Sequence, residues 1–360
     1  MSEESTPRAR PLAAEFPDLA RAVPFRSLFA GPSAVEPARA IEGFLGRSGV
    51  FHKRDDQISP RYGGNKIRRF EYLFADAERR GSRHLITAGG LASTQVMATV
   101  LVGKPLGFEV TAALFDQPVT AFAREALLTS AAGGGELLHG GSYVGTAIAA
   151  LGAAARASRP YLILPGASSP MANLGYVDAM LELGEQVRRG EVPRPDIIVV
   201  PAGSGGTLAG LAVGAAILRW PTRLVGVRIT EAFACNRVTL RLLIETTARY
   251  LARRARGASR LDLTAARVSL HHGAIGRGYG YPTPEAIAAI PEVERLIGVR
   301  GEITYSGKGL VGLGAIARAH PRATVLYWNT LSSVRPSLPA VGPEALPSSF
   351  ADVFAGPVPC

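Results

Sequence analysis

Short apolar runs rich in β-branched residues alternate with segments of helical spacing along most of the 360-residue chain. The apolar runs span residues 50–53, 84–88, 108–114, 161–164, 196–201, 223–229, 268–271 and 323–328. Between them, the spacing predicts helices over 65–80, 94–103, 121–132, 171–189 and 206–218. Strands that alternate with helices in this way predict an α/β architecture with a largely parallel sheet.

Composition excludes several classes of protein. With 47% hydrophobic and 19% charged residues, the chain has the material for a core and is not disordered throughout. Two cysteines, Cys235 and Cys360, are too few for a disulfide framework or a multi-cysteine zinc site. The first ten residues are polar and lack the apolar segment of a secretory signal. We therefore expect a protein of the reducing cytoplasm.

The net charge of +11 comes almost entirely from arginine, since only four of the 40 basic residues are lysines. Most arginines are scattered, but a cluster over 249–260 is expected to close a helix that begins near Asn236, where cations suit the helix dipole. No nucleic-acid-binding module accompanies this cluster, so we expect no nucleic-acid partner. His271 and His272 are neighbours on a strand and would face opposite sides, which makes them a poor metal pair.

Two uncharged runs, 85–103 and 197–218, approach the length of a membrane helix. Each is interrupted by glycines and polar residues, which is typical of a strand, a loop and a buried helix in succession. A membrane span needs about 20 consecutive apolar residues. We therefore expect no membrane partner.

The sharpest local motif is a strand that leads into glycines and then into a helix of small residues. Its loop consists of Gly203, Ser204, Gly205, Gly206 and Thr207. Glycines let the backbone approach an anion, and the first N–H groups of the helix point at it. The spacing is neither that of a Walker loop nor that of a dinucleotide fingerprint. It suits the single phosphate of a small cofactor.

A second motif places Asn65 and Lys66 after two glycines at the start of a helix. The helix N-terminus disfavours an ammonium there, so the pKa of Lys66 is expected to fall. A lysine amine forms a Schiff base, which a guanidinium does not. A phosphate loop together with such a lysine is what pyridoxal phosphate requires.

Two further motifs are weaker alone. Ser93, Thr94 and Gln95 follow a strand and a glycine turn, where backbone N–H groups hold a carboxylate well. Tyr279 lies in a glycine-rich loop, and a later segment contains Tyr305, Ser306 and Lys308. Taken by itself, Lys308 is expected to be a solvated surface lysine.

Together these motifs resemble the pyridoxal-phosphate enzymes of fold type II that include D-cysteine desulfhydrase and 1-aminocyclopropane-1-carboxylate deaminase. The resemblance runs from about Phe51 to Thr330. The order of the motifs and their spacing carry it, notably the 27 positions from Lys66 to Ser93 and the 26 from Tyr279 to Tyr305.

The resemblance implies a role for each matching position. Lys66, Ser93, Tyr279 and Tyr305 correspond to catalytic residues, with Lys66 as the Schiff-base lysine. Ser93, Thr94 and Gln95 correspond to the loop that binds the substrate carboxylate. The cofactor-binding positions are Lys66, Asn65, Thr94, Gly203, Ser204, Gly205, Gly206, Thr207, Ser306 and Thr330, with either Ser306 or Thr330 facing the pyridine nitrogen.

The resemblance also implies the organisation of the chain. Two three-layer α/β domains of the tryptophan synthase β type are expected, with the cofactor in the cleft between them. The large cofactor-binding domain would comprise residues 1–68 and 168–340, and the small substrate-side domain 69–167. Residues 341–360 would form a C-terminal tail, and the tail region from Arg335 onward is expected to be irregular. The expected assembly is a homodimer.

Three departures from the family pattern bear on the reaction. Thr94 stands where the family has asparagine, and Leu331-Ser332 stands where it has two glycines. Ser306 stands where the cyclopropane deaminases have glutamate and the desulfhydrases have threonine. A hydroxyl there favours β-elimination from a small amino acid such as D-cysteine over cyclopropane opening. The alternatives are deamination of a cyclopropane amino acid or otherwise altered pyridoxal-phosphate chemistry, and a binding protein without turnover.

Overall fold

The predicted alternation of strands and helices is confirmed in the computed structural model, which describes residues 8–298 and 300–358. The strands are β1 (Val35–Pro37), β2 (Val50–Lys53), β3 (His84–Gly90), β4 (Glu109–Phe115), β5 (Glu136–Gly141), β6 (Pro160–Ile163), β7 (Ile197–Ala202), β8 (Arg223–Arg228), β9 (Arg267–His271) and β10 (Val325–Trp328). The α-helices are α1 (Pro11–Glu15), α2 (Leu19–Ala22), α3 (Arg39–Leu45), α4 (Asn65–Arg79), α5 (Thr94–Gly103), α6 (Ala121–Ala132), α7 (Tyr143–Arg156), α8 (Leu174–Arg188), α9 (Gly206–Leu218), α10 (Arg237–Ala252), α11 (Pro284–Ile297), α12 (Lys308–Ala319) and α13 (Ala351–Phe354). Cys360 and residues 1–7 lie outside the described residues.

The chain forms two units, each built from separate stretches of sequence. The first unit contains the described residues up to Tyr72 together with Ser168–Val334. The second contains Leu73–Ala167 and the described residues from Arg335 onward. The boundary between them in the sequence falls inside α4.

In the first unit, the described strands form a six-stranded sheet in the order β1-β2-β10-β7-β8-β9. β1 pairs antiparallel with β2, and the remaining pairs are parallel. Because successive side chains of a strand point to opposite faces, Ile197 and Val199 of β7 pack with α3, α11 and α12. Ile198 and Val200 pack with α8, α9 and α10 on the other face. The unit therefore has three layers.

In the second unit, the described strands form a parallel four-stranded sheet in the order β5-β4-β3-β6. Apolar side chains of α5, α6 and β4 form its core, which residues 346–353 complete. Leu346, Phe350 and Val353 are buried there. The tail from Arg335, expected to be irregular, thus contains α13 and contributes to this core.

The two long uncharged runs are each divided as the sequence predicts. Residues 85–103 comprise most of β3, a turn and α5, and residues 197–218 comprise β7, the glycine loop and α9. Within residues 8–298 and 300–358, no helix combines the length and the apolar character that a membrane crossing requires.

The arginine cluster differs from its prediction. α10 begins after Asn236, whose side chain caps it, but the helix ends at Ala252. Arg249 alone of the cluster lies in the last turn, while Arg253, Arg254 and Arg256 follow the helix.

Candidate active site

The glycine-rich segment connects β7 to α9 and shapes the start of this helix. Gly205 has φ +80°, a left-handed conformation that other residues rarely adopt. A Cβ at Gly206 would collide with the side chains of Ser168 and Asn173. The Oγ atoms of Ser204 and Ser168 lie 2.6 Å apart. Glycine is therefore required here, and the first N–H groups of α9 are available to an anion.

The first turn of α4 meets the first turn of α9. Arg69 donates to Oγ1 of Thr207 over 2.6 Å, and Nδ2 of Asn65 donates to the same atom over 3.1 Å. Arg69 also donates to Ser168 over 3.0 Å. Because Thr207 Oγ1 accepts both bonds, its own O–H proton is left to donate to a ligand. Two helix N-termini, each the positive end of a helix dipole, thus converge on one point.

Lys66, the second residue of α4, is buried, with 6% of its surface exposed. Burial, and then the charge of Arg69, hold the pKa of the Lys66 ammonium well below its ordinary value. Burial likewise lowers the pKa of Arg69 to about 10. The lowered pKa favours the neutral amine of Lys66, which is the nucleophilic form of lysine.

A buried ion network fixes α4 two residues further along. Arg68 forms two hydrogen bonds of 2.9 Å to the carboxylate of Asp55 and also pairs with Glu182 over 2.8 Å. Asp55 accepts further bonds of 2.8 Å from Tyr176 and Trp328. Burial, the largest single effect, opposes the ionisation of Asp55, but the charge and hydrogen bonds of Arg68 together with the charge of Lys53 outweigh it and keep the pKa of the carboxyl below its usual range. The network holds the helix that carries Lys66 against β10 and α8.

The end of β10 lies against the loop before α4. The backbone carbonyl of Thr330 accepts the N–H of Asn65 over 3.0 Å. Gly64 has φ +90°, and a Cβ there would lie 2.7 Å from the same carbonyl. Thr330 therefore lies next to the residue that precedes Lys66.

Ser306 lies in a turn of π-helix (Ile303–Gly307) that leads into α12. Its hydroxyl donates to the carbonyl of Glu302 over 3.0 Å and accepts the N–H of the same residue over 2.7 Å. The only proton of this hydroxyl is thus already used within the turn.

The two tyrosines singled out by the sequence are brought together. The hydroxyls of Tyr279 and Tyr305 lie 3.0 Å apart, and their rings meet edge to face. Lys308 was expected on the surface, and this prediction is wrong: its side chain is fully buried and donates to the carbonyls of Ile275 and Gly278. The burial arises from a loop about 30 residues away, which local sequence does not reveal.

The second unit contains the remaining predicted residues at the start of α5. Ser93 caps this helix, its Oγ accepting the N–H of Val96 over 3.3 Å. The first N–H groups of the helix, those of Thr94 and Gln95, have no partner within it. The side chain of Gln95 is bonded to Thr87 and to the N–H of Gly166. Gln95 therefore offers a ligand its backbone rather than its amide.

The residues of the first unit fit pyridoxal phosphate. The backbone at Gly206, which carries no side chain, the hydroxyl of Thr207 and the cation of Arg69 suit a phosphate. Lys66, at the start of the same helix as Arg69, supplies an amine with a lowered pKa, which suits an aldehyde. The residues that would hold the phosphate are Gly203, Ser204, Gly205, Gly206, Thr207 and Arg69.

Arg69 and Ser168 are candidate site residues that the sequence analysis missed. Arg69 is four residues after Asn65, so both occupy one face of α4, and this spacing was a usable signal. Ser168 is 99 residues from Arg69, and no local pattern announces their contact. Among the described residues, no group of three or more His, Cys, Asp or Glu side chains is placed to hold a metal.

Comparison with known proteins agrees with this geometry. Residues 26–330 match the family model described as pyridoxal-phosphate dependent enzyme. D-cysteine desulfhydrases of Salmonella schwarzengrund and Salmonella paratyphi C are each 34% identical to the chain over 306 residues, which covers 81% of this chain and 87% of each relative.

Solved structures give the same result. A structure titled as an ACC deaminase homologue matches with a TM-score of 0.73 and 27% identity, covering 95% of this chain and 97% of the other. Maize serine racemase, at 16% identity and a TM-score of 0.56, covers 84% of this chain and 90% of its own, which shows a shared fold. The chain thus belongs to the family of pyridoxal-phosphate dependent enzymes, as a lyase of the group that includes D-cysteine desulfhydrase and ACC deaminase.

Proposed function

We propose that the protein catalyses β-elimination from a small amino acid with a β-leaving group, D-cysteine or a close analogue. With D-cysteine and one water, the products are pyruvate, ammonia and sulfide. The observation that carries the proposal is the buried Lys66 at the start of α4, whose neighbours Asn65 and Arg69 bond to Thr207 of the anion cradle. The substrate comes from the relatives, since the curated proteins at 34% identity are named D-cysteine desulfhydrase.

The candidate site residues of the first unit each have a proposed task in this reaction. Pyridoxal phosphate, when bound, supplies the electron sink that makes the Cα–H bond of an amino acid acidic. The loop 203–207 and Arg69 would hold its phosphate. Lys66 would hold its aldehyde end, and the free amine of Lys66 would take the Cα proton as general base. A lysine does this at neutral pH only if its pKa is lowered, as burial lowers that of Lys66.

The substrate carboxylate is proposed to bind the start of α5. The N–H groups of Thr94 and Gln95 and the hydroxyl of Ser93 supply donors for it. Tyr279 and Tyr305, linked through their hydroxyls, orient the substrate and exchange protons with the leaving group. A tyrosine pair suits this task because either hydroxyl can donate to the other.

Of the two hydroxyls proposed to face the pyridine nitrogen, we favour that of Thr330. The proton of the Ser306 hydroxyl is bonded to Glu302, so Ser306 would have to break that bond to donate to the ring. Thr330 follows Trp328 and Asn329 at the end of β10 and is held through its backbone carbonyl. A neutral hydroxyl leaves the ring nitrogen unprotonated, which is sufficient for elimination of a good leaving group.

A second candidate is opening of a cyclopropane amino acid, because the solved structure with a TM-score of 0.73 is titled as an ACC deaminase homologue. This reaction needs a stronger electron sink, which a carboxylate near the ring nitrogen would provide. Ser306 stands at the position where those deaminases carry glutamate. The structure of the product separates the two candidates, since cyclopropane opening yields a four-carbon keto acid.

The test is an absorbance scan of the purified protein, with and without borohydride, followed by an amino-acid panel. We expect a reducible visible band that Lys66→Ala abolishes and Lys104→Ala, in the second unit, does not. D-cysteine should shift the band and release sulfide and pyruvate in equal amounts. A band that shifts without sulfide from any cysteine analogue would overturn the β-elimination. If amino acids of the panel shift the band but none is converted to product, the chain is a binding protein.

We propose that two copies associate into a homodimer through the second unit. Val144, Ile148 and Leu151 form an apolar stripe on α7 and are between 64% and 70% exposed, and Leu162 and Leu164 are exposed nearby in the sequence. Each copy carries a net charge of +11, so two copies repel least where charged side chains are missing. Residues 143–155 contain no charged residue.

Sedimentation velocity tests the dimer. Ile148→Asp should convert a dimer into a monomer, whereas Phe44→Asp, at an exposed phenylalanine of the first unit, should not. A wild-type monomer at micromolar concentration, or a dimer that resists Ile148→Asp, would contradict this interface.

We propose the cytoplasm as the place of action. Among the described residues, Cys235 is a buried free thiol, and burial raises its pKa to about 11, which suits a reducing compartment. Recovery of the tagged protein in the cytoplasmic fraction of its host would support this, and recovery with secreted proteins would refute it.

A further inference from the structure

The loop that carries Tyr279 is fastened by a lysine that the proposed reaction does not use. The ammonium of Lys308 donates to the carbonyls of Ile275 and Gly278, both over 2.8 Å. Its side chain is fully buried at the first residue of α12. Burial lowers the pKa of Lys308 to about 8, while the carboxylates of Glu302 and Glu231 oppose this shift. A buried ammonium with backbone partners is costly to place, so its position is specific.

The peptide group between Gly278 and Tyr279 is held from both sides. Its carbonyl accepts from Lys308, and its N–H, that of Tyr279, donates to Oε1 of Glu231 over 2.9 Å. Gly278 has φ +149°, a conformation that side chains rarely adopt. A positive and a negative side chain therefore fix the orientation of one peptide plane.

The partner tyrosine is fixed by a different buried carboxylate. Glu302 accepts the N–H groups of Thr304, Tyr305 and Ser306 and so caps the turn that contains Tyr305. Burial raises the pKa of Glu302, and the N–H bonds oppose this shift. Lys308 follows this turn directly. The backbones of both tyrosines are thus tied to one short segment, residues 302–308.

We propose that Lys308, with Glu231 as its counterpart, is a positioning residue that fixes the 278–279 peptide plane and thereby holds the Tyr279 hydroxyl against that of Tyr305. This inference rests on the proposed function in one respect, since it assigns Lys308 to the same reaction through Tyr279. Lys308 itself contacts neither substrate nor cofactor in this assignment. Displacement of a reacting group by about 1 Å costs on the order of 100-fold in rate, so the effect is measurable.

A double-mutant cycle on the holoenzyme tests the assignment. Lys308→Met keeps the length of the side chain and removes the donors. We expect it to lower kcat for sulfide release by roughly 10- to 100-fold, with a smaller change in KM and an unchanged absorbance of bound cofactor. In the Tyr279→Phe background, Lys308→Met should change kcat by less than about twofold, because the group it positions is already missing. Equal losses in both backgrounds would overturn the proposal.

Glu231 supplies a conservative control. Glu231→Gln keeps an acceptor for the N–H of Tyr279 and should retain most of the activity, whereas Glu231→Leu should behave like Lys308→Met. A loss of activity in Glu231→Gln equal to that in Glu231→Leu would contradict a positioning role through this hydrogen bond.

Hydrogen exchange of residues 273–281 separates failure of this inference from failure of the proposed function. If the wild type releases product from no amino acid, the proposed function is wrong. Faster exchange of this segment in Lys308→Met than in the wild type would still support the positioning role of Lys308. Unchanged exchange there overturns it, whatever the activity.

Discussion

Arg68 and Asp55 face each other through two hydrogen bonds of 2.9 Å, and neither side chain has measurable exposure. Arg68 lies two residues after Lys66, and Asp55 also accepts from Trp328 at the end of β10. The pair therefore links the helix that carries the reactive lysine to a central strand of the sheet. Removal of one partner from a buried charge pair destabilises the fold strongly, because the charge of the other partner is then uncompensated.

Asp55→Asn is expected to destabilise the apoprotein by about 3–5 kcal/mol, because it leaves Arg68 with less compensation in a dry environment. Glu36→Gln, which breaks the partly exposed pair with Arg54, should cost at most about 1 kcal/mol. Urea unfolding monitored by circular dichroism measures both. Equal losses of stability in the two variants would show that the buried pair contributes no more to stability than the partly exposed pair.

Asp55 also determines an acid dependence. Its pKa is lowered in the folded chain, so its stabilising effect is complete above the unfolded value of 3.8 and is lost as the pH falls through and below that value. The wild type should therefore lose stability below about pH 4 more steeply than Asp55→Asn, measured as the urea midpoint against pH. Parallel profiles would contradict this.

Lys66 of the apoprotein should react with acylating reagents at a lower pH than a lysine of ordinary pKa. Burial and Arg69 lower the pKa of Lys66, so its amine stays neutral at pH values where an ordinary lysine is protonated. Competitive labelling read by mass spectrometry gives the pH of half-maximal reactivity for Lys66 and for Lys104. A midpoint for Lys66 near the ordinary 10.5 would contradict a neutral amine.

Thr207→Val should weaken cofactor binding by roughly tenfold or more. The substitution removes the hydroxyl proton available to a phosphate and the acceptor shared by Arg69 and Asn65. Thr246→Val, at a hydroxyl on α10 that bonds only to its own helix, is the matched control. Fluorescence titration of the apoproteins with pyridoxal phosphate gives both dissociation constants, and equal values would remove Thr207 from the phosphate site.

Ser93→Ala should raise KM for D-cysteine by roughly tenfold, because the hydroxyl proposed to hold the carboxylate is lost. The same change removes a helix cap, which costs about 1 kcal/mol of stability. Ser142→Ala removes the equivalent cap of α7 in the same unit and separates the two effects. Steady-state kinetics should show the rise in KM for Ser93→Ala alone. A rise in both variants would attribute it to lost stability.

Local signals decided which elements the sequence predicted well. α5, α6 and α9 have the predicted bounds, since Ser93, Thr120 and Gly205 mark their starts. β5 was missed because its only apolar side chains are two leucines, neither of them β-branched, and because it ends in two glycines. α7 was also missed, although Val144, Ile148 and Leu151 follow helical spacing along it.

The candidate site residues likewise divide into those with a local sequence signal and those without one. Lys66 and the loop 203–207 were predicted because each has a local signature, a glycine turn at the start of a helix. Lys308 was assigned to the surface, and Arg69 and Ser168 were not assigned at all. Their roles depend on contacts between residues that are about 30 to 140 positions apart, and such contacts are set by the tertiary fold rather than by neighbours in sequence.

The position of β10 between β2 and β7 has a consequence for synthesis of the chain. Until Val325–Trp328 has left the ribosome, the nascent chain exposes two unpaired strand edges in the middle of the larger sheet. The core of the second unit likewise waits for Phe350 and Val353. Each unit can therefore complete its folding only after these late segments have emerged from the ribosome.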